Sequence, residues 1–298
     1  MLFVKYNFSL SPNAELRLQS SFAVLRSSKM SKLSKEEKFL DFSDYGRSIA
    51  KIIVYHLKET QFTPVDLTLL FGVSGLISIY CIIQGWYLTA GFFLILKSIL
   101  DAADGELSRA KNTPSYTGRY LDSIFDWILN FLILLSIGLV SETSISLILI
   151  AFFCMQLQGT FYNFYYVVLR HASDGGDTTS NIIETESPEA LPGEKQGTVD
   201  FLFKVFSFMY GLFDKTVYAI EKDVTRTKPF PKWFMSMVSL YGLGFQLLMI
   251  SIMLAIGYID YIIIFMIAYS VLIFPILTIR KLILNEAIEP ILEKNQLD

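Results

Sequence analysis

Four aspartates stand close together in this sequence: Asp101, Asp104, Asp122 and Asp126, with Gly105, Arg109 and Gly118 among them. Asp101 and Asp104 are three apart and Asp122 and Asp126 four apart, and both spacings place paired carboxylates on one helix face. A short connection between two such helices brings all four carboxylates together. Like charges at that density repel, and Lys97 and Arg109 can neutralise only two. Four oxygen donors with no soft ligand beside them suit one or two hard cations, Mg²⁺ or Mn²⁺. A pair of such ions clamps the attacking and leaving oxygens of an in-line displacement at phosphorus. Gly105 lets a phosphate or sugar come close to the backbone, and the planar fork of Arg109 matches phosphate oxygens. A salt-bridged helix pair would explain any one of these residues but not the whole spacing.

The elements that must position them are membrane helices. Hydrophobic residues make up 53% of the 298, charged residues only 18%, and mean hydropathy is +0.47, against about 25% charged in soluble domains. Six apolar runs approach or reach the roughly 20 residues that cross a bilayer: Leu67 to Ile83, Trp86 to Leu100, Tyr120 to Val140, Ile145 to Leu169, Trp233 to Ile259 and Tyr261 to Thr278. The expected fold is therefore an all-α integral membrane protein with six transmembrane helices. Its parts are a poorly ordered tail (1–41), a juxtamembrane helix (42–60), helices one to four (61–170), a cytoplasmic insert (171–232), helices five and six (233–281) and a C-terminal tail (282–298).

Basic residues set the orientation. The loops around Gln84-Gly85, Ser141–Ser144 and Gly257–Asp260 contain no Lys or Arg, whereas Arg109, Lys111, Arg119, Arg170, Arg280 and Lys281 all fall on the other side. The positive-inside rule puts the aspartates and both termini in the cytoplasm. The first 30 or so residues lack the apolar core of a signal peptide, so no cleavage is expected there. Within 42–59, Ile49, Ile52, Ile53 and Leu57 recur at helical spacing with Arg47, Lys51 and Lys58 between them, the pattern of an amphipathic helix on the cytoplasmic surface. In the insert, 171–199 has a linker's composition, and 200–221 carries a stripe of Phe201, Val205, Phe208, Met209 and Leu212 that predicts a second interfacial helix. Cys81 and Cys154 read as buried hydrophobes. His56 and His171 lack the company that a metal site needs. A net charge of −3 without long single-sign blocks gives a nucleic-acid role no support.

The run from Asp101-Ala102-Ala103-Asp104-Gly105 through Arg109 and Gly118 to Asp122 and Asp126 resembles the signature of CDP-alcohol phosphotransferases, D-x-x-D-G-x-x-A-R-x8-G-x3-D-x3-D. Thr63-Pro64-Val65-Asp66-Leu67-Thr68 is similar to the T-P-N-x-L-T that often opens the first span in that family. Three positions depart: Ser108 for Ala, Val65 for a polar residue, and Trp127 where many members are basic. The resemblance implies transfer of a substituted phosphoryl group from a CDP-linked alcohol, commonly CDP-diacylglycerol, to an acceptor hydroxyl, with release of CMP. It implies Asp101, Asp104, Asp122 and Asp126 as metal ligands and Asp126 as general base. Val65, Asp66, Leu67, Thr68, Gly105, Ser108, Arg109, Ser115 and Gly118 would lie against the nucleotide, in a homodimer within membrane lipid.

The acceptor stays open among inositol, inositol phosphate, serine, choline, ethanolamine and diacylglycerol; Ser123 after Asp122, in place of Pro, disfavours glycerol phosphate. Lys97, Arg119 and Arg170 are the candidate contacts for an acceptor anion, and Tyr162, Tyr165 and Tyr166 for a choline-like cation, although interfacial anchors and an aromatic belt explain both sets. Two rivals are weaker. An intramembrane prenyltransferase wants a second Asp-rich helix, and a divalent-cation transporter wants polar groups through the whole membrane depth.

Overall fold

The computed structural model describes residues 33, 38–172, 180–181, 183–221 and 230–282, and every regular element among them is helical. The tails and residues 173–179, 182 and 222–229 lie outside these, and so do the sequence expectations that fall on them. In chain order, a single 3-10 turn (Phe42–Asp44) precedes α1 (Arg47–Leu57), α2 (Pro64–Ile83), α3 (Tyr87–Lys111), α4 (Tyr116–Val140) and α5 (Ile145–Ala172). Next come α6 (Gln196–Glu221), α7 (Lys232–Ser239), α8 (Leu243–Ala255) and α9 (Ile259–Ser270).

Among the described residues, four helical stretches are long and apolar enough to cross a membrane: Pro64–Ile83, Tyr116–Val140, Ile145–His171 and Ile259–Leu282. A fifth candidate is the pair α7 and α8, bent by 49°. The protein is thus built as a multi-pass membrane protein. Helix α3 covers the second predicted span, but Lys97, Asp101, Asp104, Glu106, Arg109 and Lys111 crowd its second half, and it is not among these apolar stretches. The fifth predicted span is not one straight helix. The 3-10 turn docks at its break, where Phe42 N donates to Ser239 Oγ at 3.0 Å and Ser43 lies against Gly242 and Gly244 so closely that a Cβ on either would overlap it.

Local sequence explains how the aspartates meet. Thr63 starts α2 with a capping box: its side chain accepts from Asp66 N, and the Asp66 carboxylate accepts from Thr63 N, which satisfies donors that a helix start leaves open. Helices α2 and α3 lie antiparallel, tied where Ser74 and Ser78 donate to the carbonyls of Phe93 (2.8 Å) and Ala90 (2.9 Å). Helix α3 ends at Asn112, in the left-handed region at φ 52°, and Pro114 prevents its continuation. Ser115 opens α4 by accepting from Gly118 N at 2.8 Å. With a rise of about 1.5 Å per residue, Asp104 lies about 10 Å before the end of α3 and Asp122 about 9 Å after the start of α4. Asp101 and Asp126 match in the same way, each about 15 Å in.

The remaining helices enclose that pair. Leu67, Ala103, Leu107, Ala50 and Val54 bury α1 against α2 and α3, while Ile49, Ile52 and Tyr55 on the other side of α1 are exposed. Helix α8 closes on α3 at Gly91, where a Cβ would come within 2.9 Å of the Ser251 carbonyl oxygen. Helix α6, from the insert, lies along α4 and α5: Phe203 and Phe206 pack on Tyr120, and Phe213 on Phe153. Its predicted stripe remains exposed at Phe201, Phe208 and Leu212. Glu221 anchors its end, buried between Arg280 (2.5 Å) and Tyr165 Oη (2.6 Å).

Candidate active site

Asp101, Asp122 and Asp126 each present a carboxylate oxygen within 4.8 Å of the other two. They line a cavity of about 410 Å³ bounded by α3, α4, α5, α6 and the turn before α1. Asp104 shares that wall but is differently engaged: it accepts from Thr68 Oγ1 at 2.8 Å and lies within hydrogen-bonding reach of Asp122. The described geometry therefore gathers three of the four expected ligands at one point, with Asp104 bridging from Asp122 to α2. One oxygen of Asp122 is buried with no hydrogen-bond partner among the described residues. An orphaned carboxylate oxygen is expensive, and an all-oxygen set of this kind is what a hard divalent cation takes up. The residues present fit such an ion.

Lys97 supplies the cluster's internal counter-charge. Fully buried, it reaches Asp126 Oδ1 at 2.5 Å and sits 4.9 Å from the centre of the Phe71 ring. It does not line the cavity, so its placement gives no support to the expected contact with an acceptor. Arg119 does line the cavity, but Glu184 grips its guanidinium, with one of the two contacts at 2.6 Å, and accepts from Tyr120 Oη at 2.8 Å. Arg170 is the exception. No carboxylate among the described residues pairs with it, and its Nε is buried without a hydrogen-bond partner.

The other expected site residues divide. Gly105 faces the cavity, and a Cβ there would meet only Arg109, at 3.5 Å. Arg109 donates to Glu106 at 2.7 Å, and Glu106 also accepts from Arg47 at 3.1 Å. Ser108 Oγ donates to the Thr113 carbonyl at 2.8 Å. Val65, Asp66, Leu67, Ser108, Arg109, Ser115 and Gly118 lie off the cavity wall: Leu67 is core, Val65 is exposed and Asp66 serves the cap. Of the three tyrosines of α5, Tyr162 and Tyr166 line the cavity, their ring centroids 5.6 Å apart, and Tyr165 does not. Tyr165 is buried against Phe230 and Phe234, and Tyr162 Oη donates to Asp41 at 2.6 Å.

Several cavity residues were not anticipated. Asn130, one turn beyond Asp126, and Gln156, Thr160 and Asn163 of α5 all line it; their i, i+4 and i, i+4, i+7 spacings within apolar runs were the available signal. From the insert come Glu184, Phe206, Tyr210 and Asp214. Tyr210 Oη donates to the Ser123 carbonyl at 2.9 Å. Burial, with Glu184 nearby, pushes the Asp214 carboxyl up to about 7 despite the opposing charge of Arg119. The segment before α6, read from composition as linker, is seated on the start of α4. Glu194 accepts from Ser115 Oγ (2.8 Å) and from the backbone N–H groups of Thr117 (2.7 Å) and Tyr116 (3.3 Å). Burial raises its carboxyl, but these bonds outweigh that and hold it below the usual range.

The family model for CDP-alcohol phosphatidyltransferases matches residues 62–220, just over half of the chain and the stretch that holds every aspartate of the cluster. The chain belongs to the CDP-alcohol phosphatidyltransferase family. Within that family it is 37% identical over 91 residues to a protein of Thermococcus kodakarensis described as a bifunctional IPC transferase and DIPP synthase. That match covers 30% of this chain and 21% of the relative, so the chain aligns with about one fifth of the relative's length. The matched family region includes the aspartates and all but the last residue of α6, so this member of the family carries insert residues within the bounds of its family domain.

Proposed function

We propose that the chain is a membrane phosphotransferase of phospholipid biosynthesis that moves a substituted phosphoryl group from a CDP-alcohol, CDP-diacylglycerol, to an acceptor hydroxyl and releases CMP. The observation that carries this reading is the convergence of Asp101, Asp122 and Asp126 within 4.8 Å on one cavity, in a chain of the family that uses such donors. Asp101, Asp104, Asp122 and Asp126 would hold two Mg²⁺ or Mn²⁺ ions, which when bound neutralise charge on the diphosphate and on the departing CMP.

The chain's own groups do the rest. Asp126 takes the proton of the acceptor hydroxyl as that oxygen attacks the lipid-side phosphorus. The bond from that phosphorus to the bridging oxygen breaks, and CMP leaves with the electron pair. Lys97, bonded to Asp126 Oδ1, fixes the carboxylate so that its other oxygen can serve as the base. Gly105 leaves room for the diphosphate, and Arg109 is held in place by Glu106. Val65, Asp66, Thr68, Ser108, Ser115 and Gly118, around the α3–α4 connection and the start of α2, bind the nucleotide, and Leu67, buried in the core, supports that segment from behind. Arg170, alone without a carboxylate partner among the described basic residues of the cavity wall, is the contact for an acceptor anion.

The membrane arrangement belongs to the same proposal. Six spans result if α3 is the second and the bent α7–α8 pair is the fifth. Helix α1 then lies on the cytoplasmic surface with Ile49, Ile52 and Tyr55 toward lipid, and the active site and both termini face the cytoplasm. A soluble acceptor thereby meets a donor whose tails stay in the bilayer. The functional unit is a homodimer. Asp126→Asn tests the assignment: the variant should fold and bind Mn²⁺ yet lose CMP release by at least about 100-fold. Near-normal turnover would remove Asp126 from the role of base.

A further inference from the structure

Most polar side chains buried inside this protein answer one another. Gln158 donates to the Met266 carbonyl and to Ser270 Oγ, and Gln246 donates to the Met155 carbonyl and to Gln158 Oε1. On the cavity wall, besides the Asp122 oxygen and the Nε atoms of Arg119 and Arg170, three uncharged side chains do not. Asn130 Oδ1, Gln156 Nε2 and Thr160 Oγ1 have no hydrogen-bond partner among the described residues, although their residues are only 4%, 5% and 6% exposed. Buried polar groups are nearly always paired, and leaving one unpaired is costly. Three orphans on two facing helices of one cavity mark a place where a ligand completes the bonding.

Their position says which ligand. Asn130 follows Asp126 by four residues and so lies about 6 Å further along α4, away from the α3–α4 connection where Arg109, Ser115 and Gly118 gather. It therefore sits beyond the base, on the side opposite the proposed nucleotide contacts. Gln156 and Thr160, one turn apart on α5, face the same space. Amides and a hydroxyl both donate and accept, as do the hydroxyls of a sugar-like alcohol. A diacylglycerol has one hydroxyl, which the base would occupy, and its ester oxygens only accept, so Asn130 Oδ1 would stay unanswered.

We propose that Asn130, Gln156 and Thr160 form the acceptor pocket and select a small water-soluble polyol, free or as its monophosphate. This rests on the transferase reading above and deepens it. The test supplies the full-length protein with CDP-diacylglycerol and Mn²⁺ and measures CMP release with myo-inositol, inositol monophosphate, glycerol, ethanolamine, choline, serine or diacylglycerol plus a CDP-linked amino alcohol. Turnover with a polyol or its monophosphate supports the pocket, and the two arms separate the free from the phosphorylated acceptor. Turnover only with the amino alcohols, serine or diacylglycerol overturns the pocket while the transferase reading stands. No CMP release in any arm overturns both.

Asn130→Leu, Gln156→Met and Thr160→Val supply the second measurement. Each should raise KM for the polyol about tenfold or more with a smaller change in kcat, and leave Mn²⁺-dependent CDP binding unchanged. Each should also melt no lower than wild type, because an unanswered buried polar group has been replaced by an apolar one of similar shape. Unchanged KM in all three would overturn the assignment. The acceptor screen on the unaltered protein decides the matter even if a variant fails to fold.

Discussion

Lys97→Met tests the electrostatic design of the site. Lys97 is fully buried, its Nζ is 2.5 Å from Asp126 Oδ1, and the charges of Asp101 and Asp122 act on it as well. At an effective dielectric of 20, one such pair at 2.5 Å is worth about 7 kcal/mol before desolvation is subtracted. Removing one partner of a buried pair costs roughly 3–5 kcal/mol, because the survivor is left as an uncompensated charge. In this protein three carboxylates would then face one another without an internal cation. At roughly 2–4 °C per kcal/mol for a large domain, the variant in EDTA should melt on the order of 10 °C below wild type. The assay is thermal unfolding in detergent, repeated across a Mn²⁺ titration. Because an added cation replaces the lost ammonium, Mn²⁺ should stabilise the variant more than wild type and narrow the gap. Ligand at about 100 times its Kd supplies roughly 2.7 kcal/mol, so much of the loss is recoverable. Equal melting of the two proteins in EDTA, or a gap that Mn²⁺ leaves untouched, would refute the idea that Lys97 is the cluster's counter-charge.

Three further outcomes follow from the geometry. Asp214 has its carboxyl pushed up to about 7, so the folded state holds a proton that the unfolded chain releases near 4, and stability falls as pH rises through that window. Asp214→Asn should therefore be more stable than wild type at pH 8, by at most about 4 kcal/mol, with the gap closing toward pH 4 in a series of melts. Glu194, held low by Thr117, Ser115 and Leu191, has the opposite sign. Glu194→Gln should lose about 1 kcal/mol at neutral pH, a difference that shrinks as pH falls below the ordinary glutamate range. Gly244→Ala should cost roughly 1–3 kcal/mol by overpacking, since its Cβ would overlap the Ser43 carbonyl oxygen; an unshifted melting temperature would show that the 3-10 turn is free to move.

What the sequence made legible was local. The spacing of Asp101, Asp104, Asp122 and Asp126 depends on helical period and on a connection only as long as Asn112 to Ser115, and both can be read from one stretch of chain. The apolar runs announced α2, α4, α5 and α9 because a membrane helix must carry its own solvent compatibility in consecutive residues. The bend between α7 and α8 has a local mark in Gly242 and Gly244, but its docking partner Ser43, about 200 residues away, was not legible. The same holds for Lys97, whose sequence neighbours do not show that Asp126 is its partner. Composition reads 171–199 as linker, yet within its described part Glu184 and Glu194 bond to Arg119, Tyr120 and the start of α4. Composition does not register where such carboxylates land. Asn130, Gln156 and Thr160 were overlooked because single polar residues in a span read as tolerated defects until their common cavity is seen.

Transfer from a CDP-alcohol at the Asp101–Asp126 cluster should depend on a divalent ion. The most direct measurement is CMP release by the purified full-length protein given CDP-diacylglycerol and a mixture of soluble alcohols, in EDTA and in Mn²⁺ or Mg²⁺. CMP should appear only with the divalent ion, in step with consumption of the CDP-alcohol, and vanish in Asp122→Asn. CMP release that persists in EDTA, or that Asp122→Asn leaves intact, would contradict the account.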